Sequence, residues 1–132
     1  MSAPHRLELL TETYAVARLG SGAATPDWIG GEFQSVTRTA DELSIVCAES
    51  RVPVGVIAER GFRCLRITGK LDFSATGVLE SLLGPLADAN VSVFVVSTFD
   101  TDYVLVPSGR LEDATAGLTS AGHVVDWITW RD

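Results

Sequence analysis

The sequence has few basic residues. It carries 10 Lys and Arg against 17 Asp and Glu, which gives a formal net charge of −7 and a pI near 4.7. Because proteins bind phosphate backbones largely through Lys and Arg, this balance argues against nucleic acid or an anionic membrane surface as a partner. Basic residues such as Arg63 and Arg66 alternate with apolar ones, so we expect them to face solvent.

Long apolar runs and cysteine are also scarce. No stretch approaches the ~20 apolar residues that cross a bilayer, and Met1–Leu10 has only a short apolar patch broken by Glu8, unlike a secretion signal. Cys47 and Cys64 lie within apolar runs, which favours small core residues over a disulfide or a metal site. We therefore expect a folded cytoplasmic protein with reduced thiols.

The second half of the chain has the pattern of a complete βαββαβ unit. Strands are predicted at 61–69, 91–97, 103–106 and 123–126, and helices at 75–89 and 111–118, the second ended by Gly122. This order is typical of a ferredoxin-like α+β fold, with both helices on one face of a four-stranded antiparallel sheet. Strand 91–97 is almost entirely β-branched or aromatic, which predicts burial on both faces.

Two features mark the ends of the first predicted helix. Ser74 or Thr76 is expected to cap its start. Pro85 lies inside its predicted span and is expected to kink or displace the last turn, because proline has no backbone N–H.

The first half resembles a degraded copy of the same plan. Residues 37–46 align with 97–106, and residues 14–19 align with 62–67. Short β-rich matches are weak alone, so the shared order of elements carries the comparison. The loop Gly20–Gly31 stands where the first helix would be, with one turn around Asp27 and Trp28. We predict two modules, 1–60 and 61–132, the first with a truncated first helix.

Two segments, Leu71–Leu79 and Val91–Val106, resemble bacterial ACT-domain proteins related to the CASTOR arginine sensors. The resemblance covers most of residues 6–126. It implies two ferredoxin-like ACT modules with sheets side by side, and a free amino acid bound at the junction between them. It further implies a regulatory role, with a regulated enzyme or a second copy of the chain as partner and arginine as a ligand by analogy only.

An amino acid is a zwitterion, so its site must offer donors to a carboxylate and acceptors to an ammonium. The start of the helix at 75–89 offers unpaired backbone N–H groups, and the connection 98–102 offers carboxylates and hydroxyls, with Asp102 as the favoured acceptor. The candidate ligand-binding residues are Asp72, Phe73, Ser74, Thr76, Gly77, Val78, Leu79, Thr98, Phe99, Thr101 and Asp102.

Structural explanations of the same residues stay open. Gly77 can be a packing glycine, Ser74 only a helix cap, and Asp100 and Asp102 ordinary turn residues. A metal site at Asp72, Asp100 and Asp102 has neither EF-hand spacing nor a histidine partner. We expect no metal and no cofactor.

Catalysis is not expected. The candidate nucleophiles and bases are Cys47, Cys64, Ser97, His5 and His123, but no Gly-x-Ser-x-Gly elbow or catalytic cysteine motif is present. His5 lies near a terminus that is expected to fray, and His123 is expected to begin an edge strand.

Three tryptophans, Trp28, Trp127 and Trp130, lie in segments of weak periodicity and need a partner surface. They either pack at the junction of the modules or form a homodimer contact. The latter interpretation supports a second hypothesis, a protein-interaction or assembly module whose ligand pocket is vestigial.

Overall fold

A computed structural model of the protein describes residues 4–72 and 74–127. It has an α+β fold, whose elements are β1 (Arg6–Leu19), β2 (Ser35–Arg38), β3 (Leu43–Ala48), β4 (Ile57–Ile67), α1 (Val78–Asp88), β5 (Phe94–Ser97), β6 (Asp102–Pro107), α2 (Leu111–Ser120) and β7 (Val124–Trp127). The chain divides into two compact units. Unit 1 comprises residues 1–11 and 63–132, and unit 2 comprises residues 12–62. The predicted modules, 1–60 and 61–132, differ from these units because they place the start of β1 in the first module.

The sheet of unit 1 has the strand order β5-β6-β4-β1-β7. β5 and β6 are antiparallel and pair from Phe94↔Leu105 to Ser97↔Asp102. β7 is parallel to β1, with Arg6 opposite Val124. The predicted element order βαββαβ is confirmed, and β5 and β6 are antiparallel as predicted, but the sheet has a fifth strand, β1, to which β7 is parallel. β1 lies between β4 and β7, because the closing strand pairs with the first strand of the chain.

Both helices of unit 1 pack on one face of this sheet, as predicted. The buried cluster joins side chains of α1 and α2 to the sheet strands; it contains Leu7, Leu9, Leu65, Ile67, Leu82, Leu86, Val91, Val104, Val106, Leu111, Ala114 and Leu118. Burying a leucine of this kind stabilises the fold by about 1.5–3 kcal/mol relative to leaving it exposed. The core therefore fixes α1 against β4 and β6, the two strands that lead to the candidate site.

Helix α1 begins later than predicted but stops at Asn90, as its prediction of 75–89 implies. Its first residue is Val78, and the residue before it, Gly77, has a left-handed backbone (φ 77°) and no side-chain capping bond. The predicted caps at Ser74 and Thr76 are therefore wrong. Asn90, with φ 59°, ends the helix, since its N–H and that of Val91 bond back to the last turn. Pro85 lies within α1.

Helix α2 runs two residues beyond its predicted end at 118 and stops as expected at Gly122. That glycine has a φ of 99°, and its N–H donates to the Thr119 carbonyl. The N–H of His123 donates to the Leu118 carbonyl, which completes the Schellman motif. Neither α1 nor α2, the two α-helices of the described residues, has the length and apolarity needed to cross a bilayer.

β5 differs most from its predicted strand. It spans Phe94–Ser97 rather than 91–97 and is the last strand of the sheet order. Val93 and Phe94 are each 37% exposed, so burial on both faces is wrong. The apolar run serves two purposes, because Val91 is buried in the helix-side core after the end of α1 and only the following residues form the strand.

Unit 2 is built from β2, β3 and parts of β1 and β4, in the order β2-β3-β1-β4. β1 and β3 are antiparallel from Tyr14↔Ala48 to Leu19↔Leu43. A core of Ala15, Ala17, Leu43, Ile45, Cys47 and Val52 forms on them. Residues 20–31 form the predicted loop, with a turn at Asp27 and Trp28, and Trp28 packs half-buried against this core. Unit 2, all of whose residues are described, contains no α-helix, so the predicted βαββαβ plan of the first module is wrong.

Candidate functional site

A cleft of about 470 Å³ lies in unit 1 at the start of α1. We call it the α1 cleft. It is formed by the β4–α1 loop, the first turn of α1 and the β5–β6 connection. Its lining residues are Leu71, Asp72, Ala75, Gly77, Val78, Leu79, Glu80, Ser97, Thr98, Phe99, Asp100, Thr101 and Asp102.

The β5–β6 connection is a tight hairpin turn of residues 98–101, with Phe99 and Asp100 at its tip. The N–H of Thr98 donates to the Thr101 carbonyl at 2.8 Å, and the Thr98 hydroxyl donates to the same carbonyl at 3.0 Å. The Thr101 hydroxyl donates to the Ile67 carbonyl at 2.9 Å, at the end of β4. The turn is thus tied to the neighbouring strand by a side chain as well as by its own backbone.

The β4–α1 loop is held against this turn. The N–H of Leu71 donates to the Asp100 carbonyl at 2.7 Å. The next residue, Asp72, accepts from the N–H and the hydroxyl of Ser74 at 3.0 and 2.9 Å. These bonds, the backbone N–H first, lower the pKa of the Asp72 carboxyl, which therefore stays ionised at neutral pH. Its side chain shapes the loop and adds negative charge to the cleft.

The first turn of α1 presents backbone donors to the cleft. The first hydrogen bond of the helix runs from the Ser81 N–H to the Gly77 carbonyl at 3.1 Å. The N–H groups of Val78, Leu79 and Glu80 precede it and have no acceptor among residues 4–72 and 74–127. The space beside Gly77 is open, because a Cβ placed there would meet no atom within 4 Å. The helix start can accept an anionic group.

The cleft also contains negative charge, which carboxylate side chains supply. Asp72, Asp100, Asp102 and Glu80 line the cleft, and no Lys or Arg is among its lining residues. Asp102 is 9% exposed at the start of β6. Its carboxylate makes no hydrogen bond or ion pair within the described chain. Residues with free backbone donors at the start of α1 and the largely buried Asp102 therefore line one cavity.

The structure brings most of the predicted site residues together. Those that line the α1 cleft are Asp72, Gly77, Val78, Leu79, Thr98, Phe99, Thr101 and Asp102. Ser74 and Thr76 lie outside the lining. Phe73 falls outside the described residues. The hydroxyl of Thr101 is engaged with Ile67, so this side chain supports the turn.

Leu71, Ala75, Glu80, Ser97 and Asp100 line the cleft but were not among the predicted ligand-binding residues. Leu71 and Ala75 belong to the segment Leu71–Leu79, which carries the family resemblance, so their position in that segment could have indicated them. Glu80 is missed because its place in the cleft depends on the start of α1 at Val78 rather than at 75.

The residues considered for catalysis are dispersed. Cys47 and Cys64 are buried, as predicted, and burial raises the pKa of the Cys47 thiol. His5 and His123 stack on each other away from the cleft lining. Within the described ranges, no group of three or more His, Cys, Asp or Glu side chains is placed to hold a metal ion.

The tryptophans do not form one cluster among the described residues. Trp28 packs against the core of unit 2, whereas Trp127 is 57% exposed at the end of β7. Trp130 lies outside the described residues.

Family models match two parts of the chain. The ACT-domain model matches residues 57–120, and a model of an N-terminal domain matches residues 12–55. The chain belongs to the ACT-domain proteins related to the CASTOR arginine sensors, as the sequence motifs predicted.

Two curated relatives illustrate this relationship. CASTOR3P of Homo sapiens is 31% identical over 102 residues, which are 67% of this chain and 63% of that protein. The cytosolic arginine sensor for mTORC1 subunit 1 of Homo sapiens is 43% identical over 47 residues, 35% of this chain and 14% of the sensor. The matched segments thus cover less than two thirds of either relative.

Solved structures extend the likeness to the full fold. Protein Atu0741 from Agobacterium tumefaciens has a TM-score of 0.92 and 39% identity, covering 99% of this chain and 98% of that one. The regulatory subunit of aspartate kinase from Thermus flavus has a TM-score of 0.64 and 11% identity, covering 91% and 99% of the two chains. The latter likeness shows a shared ACT-type fold alone.

Proposed function

We propose that the protein is a regulatory module that binds a free α-amino acid in the α1 cleft. One observation carries this proposal: the unpaired N–H groups at the start of α1 and the carboxylate of Asp102 line the same cavity. The ligand carboxylate would accept from the N–H groups of Val78, Leu79 and Glu80. Its ammonium would donate to Asp102, which has no competing partner within the described chain.

Charge supports a zwitterion or a cation over an anion. Four carboxylates line the cleft, and the only positive feature that faces them among its lining residues is the partial charge at the helix start. The four carboxylates would repel a purely anionic ligand, and no lining side chain could form an ion pair with it. Arginine is one ligand of suitable charge, and the curated relative named as an arginine sensor makes it the first to test.

The proposed role is sensing rather than catalysis, in the cytoplasm. No histidine or cysteine is among the lining residues of the described cleft, so it lacks the Ser–His or Cys–His pair that commonly activates a nucleophile. The relationship to a protein named as a cytosolic sensor supports the location and the role. A regulated enzyme is the partner through which such a module would act.

Isothermal titration calorimetry with each of the twenty amino acids tests the proposal. We expect saturable binding of at least one. Asp102→Asn should weaken it about 10- to 150-fold, because a hydrogen bond to a charged group contributes about 1.5–3 kcal/mol. Asp27→Asn, at an exposed carboxylate in unit 2, is the matched control and should leave affinity unchanged. Absence of binding at millimolar concentration would refute the proposal.

A second function, self-assembly, is favoured by the edge of β5. Since Thr98 and Thr101 form a hydrogen-bonded pair and pairing alternates, the N–H and C=O groups of Val95 and Ser97 point away from β6. Residues 91–99 contain no charge, proline or glycine, so nothing in the sequence guards this edge. An antiparallel pairing of two copies centred on Val95 would place outward groups opposite each other.

Light scattering coupled to gel filtration tests this second function. The wild type is expected to form dimers, and Phe94→Lys, which puts a charge on the 37% exposed Phe94, is expected to yield monomers. Val36→Lys on β2, at a side chain 45% exposed, is the control and should stay dimeric. A wild type that is monomeric at high micromolar concentration would exclude assembly through this edge.

A further inference from the structure

His123 joins three elements of unit 1 through its side chain. It is 4% exposed and precedes the first residue of β7. Its Nε2 lies 2.8 Å from the Ser81 carbonyl in α1, and its Nδ1 lies 2.9 Å from the backbone N of His5. A carbonyl only accepts and a backbone N–H only donates, so Nε2 carries the ring proton and Nδ1 accepts. The contacts define one neutral tautomer.

The bond to Ser81 fills a gap in the helix. In an α-helix, the Ser81 carbonyl would accept from the N–H of residue 85. Residue 85 is proline and has no N–H, so this carbonyl lacks its helical donor. His123 supplies a donor from another element at the position where α1 has none.

Ser81 is also the residue at which the hydrogen bonding of α1 begins. Its N–H donates to the Gly77 carbonyl, and its hydroxyl donates to the Val78 carbonyl at 2.6 Å. The peptide that His123 holds therefore lies one turn from the N–H groups of Val78 to Glu80 at the α1 cleft. The opposite end of the imidazole is fixed by the chain just before β1, through His5.

We propose that His123 is a positioning residue for the α1 cleft: by donating to the Ser81 carbonyl at the Pro85 gap, it fixes the first turn of α1 toward the 98–102 turn. The ligand-binding part of this inference depends on the proposed function. His123 itself does not line the cleft. Neither the motifs nor the family match points to it.

Two isosteric replacements separate the two bonds of His123. In His123→Asn, the amide oxygen can replace Nδ1 and accept from His5, but no donor reaches Ser81. In His123→Gln, the amide nitrogen can replace Nε2 and donate to Ser81, but the acceptor for His5 is lost. We expect His123→Asn to raise amide hydrogen exchange at residues 81–84 about 2- to 10-fold, the range for loss of one hydrogen bond. His123→Gln should leave that exchange unchanged.

Combining His123→Asn with Pro85→Ala tests whether His123 acts by filling the missing hydrogen bond of α1. The alanine of this variant would supply the missing helical N–H to the Ser81 carbonyl, so His123→Asn should no longer change the exchange of α1. A general packing role for His123 would not be suppressed in this way. Equal effects of the Asn and Gln variants, or an undiminished effect of His123→Asn in Pro85→Ala, would overturn the proposal.

Calorimetry with an amino acid that the wild type binds completes the test. His123→Asn should weaken that binding by up to about tenfold, and His123→Gln should not. Unchanged affinity in His123→Asn would refute the positioning role even if exchange changed. If the wild type bound no amino acid, the proposed function would fail, and the exchange comparison would still decide whether His123 holds α1.

Discussion

The hydroxyl of Thr101 donates to the main-chain carbonyl of Ile67 at 2.9 Å, although the two residues are 34 positions apart in the chain. Thr101 is 8% exposed. The bond joins the turn that carries Asp102 to the end of β4, from which the loop to α1 departs. It therefore fixes the distance between the two sides of the α1 cleft.

Thr101→Val, which replaces the hydroxyl by a methyl group, is expected to destabilise the fold by about 1–3 kcal/mol, because a buried carbonyl loses its donor. Thr101→Ser keeps the hydroxyl and should lose clearly less. Urea denaturation of the three proteins measures the difference. Equal losses in the two variants would mean that the methyl group of Thr101, and not its hydroxyl, is what matters.

Two glycines of the same region should respond in opposite directions to alanine. Gly77 has a φ of 77°, so Gly77→Ala is expected to cost about 1–2 kcal/mol although no atom blocks a Cβ. Gly84 lies within α1 without a positive φ and with no atom within 4 Å of a Cβ, so Gly84→Ala should stabilise by about 0.5–1 kcal/mol. Thermal unfolding of both variants checks the sign, and a stabilising Gly77→Ala would contradict the assigned helix start.

Acid should destabilise the fold through His5. Burial lowers the pKa of His5 from its ordinary value of 6.5. Below pH 6.5 the unfolded chain therefore takes up a proton that the folded protein binds less well, and the free energy of unfolding falls until the folded-state pKa is reached. Urea denaturation between about pH 7.5 and 5 should show a shallower decline in His5→Gln. Identical slopes would exclude this contribution.

Both thiols should be inert in the folded protein. Cys47 and Cys64 are fully buried, and burial raises the pKa of Cys47 further from neutrality. Ellman's reagent is expected to react with neither thiol under native conditions and with both in denaturant. Cys47→Ala and Cys64→Ala assign any reaction to one site. Rapid labelling of either thiol without unfolding would contradict the assigned core.

The sequence predicted the local elements of unit 1 better than their pairing. The element order could be read because Leu82 and Leu86 follow helical spacing and the centre of β6, residues 103–106, is apolar and rich in β-formers. The pairing of Arg6 with Val124 joins residues from opposite ends of the chain, and no local pattern encodes it. The insertion of β1 beside β7 was therefore not predictable from periodicity.

Much of the candidate site could be predicted from local sequence patterns, and the errors in that prediction are also local. Both lining segments are contiguous in sequence, so motifs could place Asp72 and Asp102 together. The start of α1 was predicted three residues too early, because serine is a common helix cap. In the structure Ser74 bonds to Asp72, and the left-handed Gly77 precedes the helix. The bond of His123 to Ser81 depends on the missing N–H of Pro85 and on tertiary packing, so no single residue indicated it.

Binding of a free amino acid in the α1 cleft can be followed residue by residue. The measurement is the amide chemical shifts of the ¹⁵N-labelled protein, recorded while each of the twenty amino acids is added. We expect at least one to give saturable changes concentrated at Val78, Leu79, Glu80 and residues 97–102. Saturable changes elsewhere in the chain, or none with any amino acid, would contradict it.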